Sequence, residues 1–162
     1  LVEQTQAGLP DLDSVGELSF DALADYRERL YDSPEGERIV HRDVAGFMGG
    51  ADAYATTEHV QKDVRAPAPV GTRTPGVKML CPIVRAPHLS HEGFVEHWLG
   101  RHAPLALRHH PGLVKYVTNV VDQRLSETGP VLDGIGELHF ASDIYHRDPR
   151  LDSAMRRPPS RF

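Results

Sequence analysis

The sequence lacks features on which several classes of protein depend. Its single cysteine, Cys81, excludes an intrachain disulfide, and no Cys-x-x-Cys pair is present to hold zinc or carry redox chemistry. No apolar run approaches the ~20 residues of a membrane helix. The first residues, LVEQTQAGLPDLD, also lack the basic and apolar regions of a signal peptide. We therefore expect a cytoplasmic protein that does not enter the membrane.

Signals for nucleotides and nucleic acids are also missing. The sequence has no GxGxxG, no GxxxxGK[ST] and no GxSxG motif. Its 18 basic residues are scattered among 23 acidic ones, for a formal net charge of −5. We expect no nucleic-acid partner. At 162 residues with 40% hydrophobic residues, the chain has the size and composition of one globular domain.

A repeated segment is the most informative feature that is present. LDSVGELSF at residues 12–20 returns as LDGIGELHF at residues 132–140, and seven of nine positions are identical or exchange valine for isoleucine. Both copies alternate apolar and polar residues with period two, which is typical of a strand. Each copy is therefore predicted to form a strand.

The alternation predicts which side chains share a face. Leu138 and Phe140 should face helices, whereas Glu137 and His139 look into water or a cavity. Glu17 holds the place of Glu137 in the first copy. A carboxylate beside an imidazole can orient it or share its proton. On a solvated face the same pair would be inert.

Capping signals and periodicity predict the other elements. Asp21, Ser33 and Ser90 have the character of helix N-caps, and Pro104 should end or kink the helix that follows Ser90. The predicted order is strand 14–20, helices to residue 48, strand 54–60, strand 77–85, helix from 90, strand 113–121, strand 132–140 and a short helix in the tail.

This order predicts an α+β fold with a ferredoxin-like antiparallel sheet and helices on one face. Residues 1–62 form a β-α-β part, residues 63–76 a Pro-rich linker, residues 77–142 a β-α-β-β part, and residues 143–162 a tail. The unit is either permuted to begin at its third strand or composed of the back of one copy and the front of the next. Together the parts are expected to form one compact domain.

The stretch FVEHWLGRHAPLA at residues 94–106 resembles the EthD family, whose members show a Phe, a Trp four residues on and then His-Ala-Pro-Leu. The resemblance continues through residues 116–119 and 133–140, and through residues 33–36 and 58–60. It implies a ferredoxin-like domain that pairs its sheet with a second copy in a dimeric α/β barrel, with a ligand cavity between helices and sheet.

The resemblance also implies a function. Relatives look like cofactor-independent dehydratases, cyclases or decarboxylases of polyketide-like or aromatic compounds, and neighbouring barrel families include cofactor-free monooxygenases. A homodimer, a small hydrophobic substrate and the absence of a cofactor are therefore expected.

His102 is the leading catalytic candidate. The C-terminal dipole of its predicted helix favours the protonated imidazole and an apolar cavity favours the neutral one, which suits proton transfer. Alternatively, His102 bonds the last carbonyls of that helix. Tyr116, if it points inward, can donate a hydrogen bond to a developing enolate. Otherwise Tyr116 belongs to cross-strand packing.

Three further residues are candidates for substrate binding, namely Phe94, Trp98 and Glu17. Phe94 and Trp98 share a helix face, so Trp98 is either core or cavity wall. No metal is expected, because the five-residue spacing of His97 and His102 does not place two ligands on one helix face.

Taken together, the residues and the resemblance predict a cofactor-independent lyase. His102 would move a proton during dehydration, cyclisation or decarboxylation of a hydrophobic carbonyl compound. Tyr116, Glu137 and His139 would assist. Two alternatives stay open at this point, a cofactor-free monooxygenase and a non-catalytic ligand-binding or assembly module.

Overall fold

The computed structural model describes residues 12–141 of the chain. The helices are α1 (Leu23–Arg29), α2 (Pro34–Phe47), α3 (His91–His97), a π-helical turn (Trp98–His102) and α4 (Ala103–His109). The strands are β1 (Tyr54–Asp63), β2 (Val77–Ile83), β3 (Leu113–Arg124) and β4 (Gly134–Phe140). No helix of this part of the chain is long and apolar enough to cross a membrane.

The strands form one four-stranded sheet in the order β1-β3-β4-β2. Strand β4 runs antiparallel to both β2 and β3 and is therefore paired on both sides. Pro82 lies in β2, which is an edge strand of the sheet, the position in which a sheet tolerates proline. The α+β class and the ferredoxin-like antiparallel sheet predicted from the sequence are confirmed.

The described chain divides into two compact units. One comprises residues 12–55 with 124–130, and the other comprises residues 56–123 with 131–141. In the first unit, helices α1 and α2 contain no buried residue. Tyr54 donates a hydrogen bond from its hydroxyl to the carbonyl of Pro130 at 2.8 Å.

The first copy of the repeat is not a strand, contrary to prediction. Residues 12–20 are exposed and without regular structure, and Leu18 is 72% exposed. An alternating pattern forms a strand only where neighbouring strands bond its backbone. Strand β4 has two such neighbours, whereas residues 12–20 pair with no strand of the described chain.

The predicted N-caps are confirmed at two of three helices. Ser33 accepts a hydrogen bond from the N–H of Gly36 at 3.0 Å, and Ser90 accepts one from Gly93 at 3.1 Å. Helix α1 begins after Ala22, so Asp21 is not its cap. Residues 64–76, within the predicted linker, contain no helix or strand. The predicted tail, residues 143–162, lies outside the described residues.

The helix interruption predicted before Pro104 takes the form of the π-helical turn. The N–H of Ala103 bonds the carbonyl of Trp98, five residues earlier. Trp98 and Ala103 are consequently both buried in the core, at 4% and 0% exposure. His102, immediately before Ala103, is exposed.

The core fills the side of the sheet that faces α3 and α4. One cluster joins Ala103, Ala106, Leu113 and Tyr116, with Leu138 and Phe140 against it, as the alternation in β4 predicts. A second cluster joins Phe94, Trp98 and Val120. The rings of Phe94 and Trp98 lie 5.3 Å apart, and the Trp98 indole covers two glycines of β4, Gly134 and Gly136.

The tight contact between Gly134 and Trp98 gives the first prediction. In Gly134→Ala the added methyl overlaps the indole ring, whereas in Gly136→Ala the nearest atom is Cβ of Cys81 at 3.6 Å, an ordinary contact. We expect Gly134→Ala to lower the free energy of unfolding by about 1–3 kcal/mol in urea titrations. Gly136→Ala, on the same strand and face, is the matched control and should leave it unchanged or higher. Equal losses in both variants would contradict this packing.

Candidate functional site

The charged residues of the sheet lie on the face opposite α3 and α4. The strand register pairs Lys78 with His139 across β2 and β4, and Lys115 with His139 across β3 and β4. Glu137, two residues before His139, lies between Leu80 and Val117. Paired residues project from the same face of a sheet, so Lys78, Lys115, Glu137 and His139 form one cluster.

Glu137 is the centre of the cluster and is 1% exposed. Its Oε1 accepts a hydrogen bond from Nε2 of His139 and forms ion pairs with Nζ of Lys78 at 3.1 Å and with Nζ of Lys115 at 3.3 Å. Burial raises the pKa of the carboxyl, but the bonds from His139 and Lys78 outweigh it, and the resulting pKa lies below the ordinary value. Glu137 is therefore ionised.

His139 is bonded at both ring nitrogens. Nη1 of Arg65 lies 3.0 Å from Nδ1, and a guanidinium only donates hydrogen bonds. Nδ1 must therefore be unprotonated, and the ring proton sits on Nε2, where it is donated to Glu137. Burial is the main cause that lowers the pKa of His139, and the charge of Arg65 acts in the same direction against Glu137. The imidazole is thus neutral and its tautomer is fixed.

Arg65 comes from the chain just after β1. Its guanidinium also pairs with Asp63, Nε to Oδ1 at 3.2 Å, which lowers the pKa of that carboxyl. The N–H of Val64 bonds the carbonyl of Val114 at 2.9 Å. This backbone bond ties the segment that carries Arg65 to the start of β3.

A β-bulge at Val114 directs Lys115 into the cluster. Leu113 pairs with Phe140 and Lys115 pairs with His139, so β3 advances by two residues while β4 advances by one. Without the extra residue, Leu113 and Lys115 would point to the same face. With it, Leu113 stays in the core at 1% exposure and Lys115 reaches Glu137 on the other face.

Tyr116 does not belong to this cluster. Its side chain lies on the helix side of the sheet, 2% exposed, and its hydroxyl accepts a hydrogen bond from Nε1 of Trp98 at 3.2 Å. Burial raises its pKa, so it remains a neutral phenol. Phe94 and Trp98 belong to the same core. The structure thus separates Tyr116 from Glu137 and His139 by the thickness of the sheet.

Two other sequence candidates are exposed. His102 lies on the outer side of the π-helical turn, and no hydrogen bond joins it to Glu137 or His139 in the described chain. Glu17 lies in the exposed segment 12–20. Their proposed roles stay predictions.

A second charged group fixes the entry to β4. Asp133, 3% exposed, accepts hydrogen bonds from the backbone N–H and the guanidinium of Arg85, and Nδ1 of His91 lies 3.4 Å away. Burial raises the pKa of Asp133, yet the bonds from Arg85 and His91 bring it below its usual value. These contacts join the ends of β2 and α3 to β4.

Sequence reasoning missed three members of the cluster, Lys78, Lys115 and Arg65. The strand register and the bulge bring the two lysines to Glu137, and the segment after β1 brings Arg65 to His139. None of these contacts is visible in local sequence. Among residues 12–141, no group of three or more His, Cys, Asp or Glu side chains is arranged to hold a metal ion. Cys81 is half-buried, and burial raises the pKa of its thiol.

Residues 86–152 match the family model of the EthD domain. No curated protein and no solved structure matched the chain. The matched residues include Lys115, Glu137 and His139, whereas Lys78 and Arg65 come from the chain before the EthD match.

The protonation states of the cluster predict how stability depends on pH. His139 resists protonation in the fold, whereas in the unfolded chain it takes up a proton below its ordinary pKa of 6.5. Its contribution to the free energy of unfolding is therefore present above that pKa and is lost as the pH falls. Glu137, whose pKa is also lowered, adds a second loss below its ordinary 4.5.

We expect the urea concentration at the unfolding midpoint to decrease as the pH is lowered from about 7 to about 5. The variant His139→Gln should show a smaller decrease. Midpoints at several pH values for both proteins provide the measurement. The same pH dependence in wild type and variant would show that His139 is not held neutral.

Proposed function

We propose that the protein is a cofactor-independent enzyme in which His139 transfers a proton on a hydrophobic carbonyl compound of polyketide-like or aromatic type. The EthD match supports the type of activity. The observation that carries the proposal is the imidazole of His139, which is hydrogen-bonded at one nitrogen to Glu137 and at the other to Arg65. The dehydration, cyclisation or decarboxylation expected of relatives each needs such a transfer. The homodimer implied by the resemblance belongs to the same proposal, and sedimentation equilibrium checks it.

The arrangement supports His139 as a general base. Nδ1 carries the basic lone pair of the neutral ring, which accepts a hydrogen bond from Arg65, so Arg65 must move before Nδ1 takes a substrate proton. When Nδ1 takes the proton, the imidazolium is stabilised by Glu137 through the bond at Nε2. A buried carboxylate that fixes the tautomer and stabilises the charged ring is the arrangement used by acid/base histidines in hydrolases. Glu137 is thus a positioning residue.

The chemistry follows from one enolate. Nδ1 of His139 removes the proton on the carbon next to a carbonyl, and the electron pair moves onto the carbonyl oxygen. The enolate then expels a β-hydroxyl, which leaves as water with the proton from His139, or attacks a second carbonyl in the same molecule, whose oxygen takes that proton. In a decarboxylation, Nδ1 of His139 takes the proton of the substrate's carboxylic acid group, loss of CO₂ from the carboxylate generates the enolate, and His139 delivers the same proton to carbon. No redox partner is required in any of these steps.

His139 and His102 differ in their surroundings, and this difference supports His139 as the base. His139 is 8% exposed and bonded to Glu137 and Arg65, whereas His102 is exposed at the π-helical turn. A general base needs a fixed position and a defined tautomer. The geometry favours His139, and His102 is tested beside it.

The test uses proton exchange, which does not depend on knowing the final product. Full-length protein is incubated in D₂O with benzoylacetone and with aromatic β-keto thioesters, and proton NMR and mass spectrometry follow deuterium uptake, loss of water and loss of CO₂. We expect exchange above the buffer rate, and His139→Gln to lower it by about 10²–10⁴-fold. His102→Gln should retain the activity of the wild type.

Two results would contradict the assignment. Full activity in His139→Gln, or loss of activity in His102→Gln with His139 intact, would move the base to His102. No exchange and no product with any substrate would count against catalysis itself. An oxygen electrode runs in parallel, since stoichiometric oxygen uptake would identify the monooxygenase alternative.

A further inference from the structure

The guanidinium of Arg65 is bonded on two edges by two different residues. Its Nε and Nη2 donate to the two carboxylate oxygens of Asp63 at 3.2 Å and 3.3 Å, and its Nη1 lies 3.0 Å from Nδ1 of His139. The carboxylate and the imidazole therefore use different N–H groups. Arg65 is able to release Nδ1 and still keep its ion pair with Asp63.

Asp63 also shapes the backbone that carries Arg65. It is the last residue of β1, and its Oδ1 accepts a hydrogen bond from the backbone N–H of Arg65 at 3.2 Å. An aspartate that bonds the N–H two residues on is a common way to form a turn. The same carboxylate therefore turns the chain after β1 and holds the guanidinium beside His139.

His139 takes a proton at Nδ1 only after Arg65 has left that nitrogen. A protonated Nδ1 is a hydrogen-bond donor, as every N–H of a guanidinium is, so two cations would otherwise face each other donor to donor. The side chain of Arg65 is 25% exposed, and a partly buried cation that loses its partner is costly. Asp63 is an anion that Arg65 already holds, so the guanidinium stays paired when it leaves the ring.

Asp63 also balances the charges around the imidazole. Four charged side chains face the ring from β2, β3, β4 and the segment after β1, namely Lys78, Lys115, Glu137 and Arg65. Of these four, Glu137 alone favours a proton on the ring, and the three cations oppose it. The carboxylate of Asp63, on the other edge of the guanidinium, offsets the charge of Arg65.

We propose that Asp63 is a positioning residue for the transfer of a proton to His139, and that it acts through Arg65. It holds the guanidinium against Nδ1 while the ring is neutral and keeps it paired when the ring takes a proton. Arg65 is thus a removable cover on the base, and Asp63 determines how easily the cover comes off. The inference rests on the proposed function, because it takes His139 as the base.

Substitutions of the pair have opposite expected effects on the ring. Asp63→Asn keeps an oxygen for the turn and removes the charge, so the guanidinium opposes protonation more strongly and the pKa of His139 should fall. Arg65→Met removes the cover together with its charge, and the pKa should rise. Once Arg65 is replaced, Asp63 has no side chain to act through, so adding Asp63→Asn should then change little.

Nitrogen NMR titrations of the imidazoles in the full chain measure these effects without a substrate. The signal of His139 is identified by its absence from His139→Gln. We expect its titration midpoint to be lower in Asp63→Asn than in wild type, higher in Arg65→Met, and equal in Arg65→Met and the double variant. Arg38→Met, which removes an exposed arginine paired with Glu35 on α2, is the matched control and should leave the midpoint unchanged.

The pH profile of deuterium exchange into benzoylacetone gives a second readout. Asp63→Asn should lower the plateau rate by about three- to tenfold and move the rising limb to lower pH, because the base is weaker and more tightly covered. Asp63→Glu retains the carboxylate and should lie closer to wild type. A lower plateau with an unmoved limb would mean that Asp63 only supports the fold, with circular dichroism reporting whether each variant is folded.

The inference and the proposed function fail separately. An unchanged or higher midpoint in Asp63→Asn, or a further drop when Asp63→Asn is added to Arg65→Met, would overturn the role of Asp63. If exchange depends on His139 while the midpoints of all variants agree, the cover is wrong and proton transfer stands. If the midpoints move as expected and no compound exchanges, Asp63 and Arg65 control the proton affinity of the ring and the proposed catalysis is wrong.

Discussion

The buried carboxylate of Glu137 is the constraint around which one face of the sheet is arranged. Removing a carboxylate from water costs several kcal/mol even after relaxation, unless cations and hydrogen bonds compensate. Glu137 meets this cost with His139 and two lysines on Oε1. Those partners come from three adjacent strands, so the electrostatics of one side chain require the register β3-β4-β2 to be kept.

The same strand separates packing from chemistry. On the helix side of β4, Gly134 and Gly136 make room for Trp98, and Tyr116 is already bonded to that indole. This side is occupied by apolar contacts, which supply the stability of the domain. Polar groups that are able to move a proton are consequently found on the opposite face, where only alternation along a strand separates His139 from the core.

Local sequence patterns correctly predicted two helix caps and the two faces of β4. The caps at Ser33 and Ser90 follow from the preference of hydroxyls for unpaired helix N–H groups, and the division of β4 into two faces follows from its period of two. Residues 12–20 carry nearly the same pattern and form no strand, because pairing is a property of distant neighbours. The lysines of the site depend on the same distant pairing and on a one-residue bulge, and sequence alone missed them.

Position in the fold also decides which parts of the site can change. Glu137 and His139 lie on a strand that is bonded on both sides, so their backbone is fixed and their geometry is prepared before a ligand arrives. Arg65 lies after the end of β1, on a segment that one backbone bond joins to Val114. In the proposed mechanism Glu137 holds the ring of His139 and Nδ1 receives the proton, while the guanidinium of Arg65, which bonds Asp63 as well as Nδ1, is the group that has to move. Uncovering Nδ1 for the proposed transfer therefore requires one side chain to turn, and no strand has to shift.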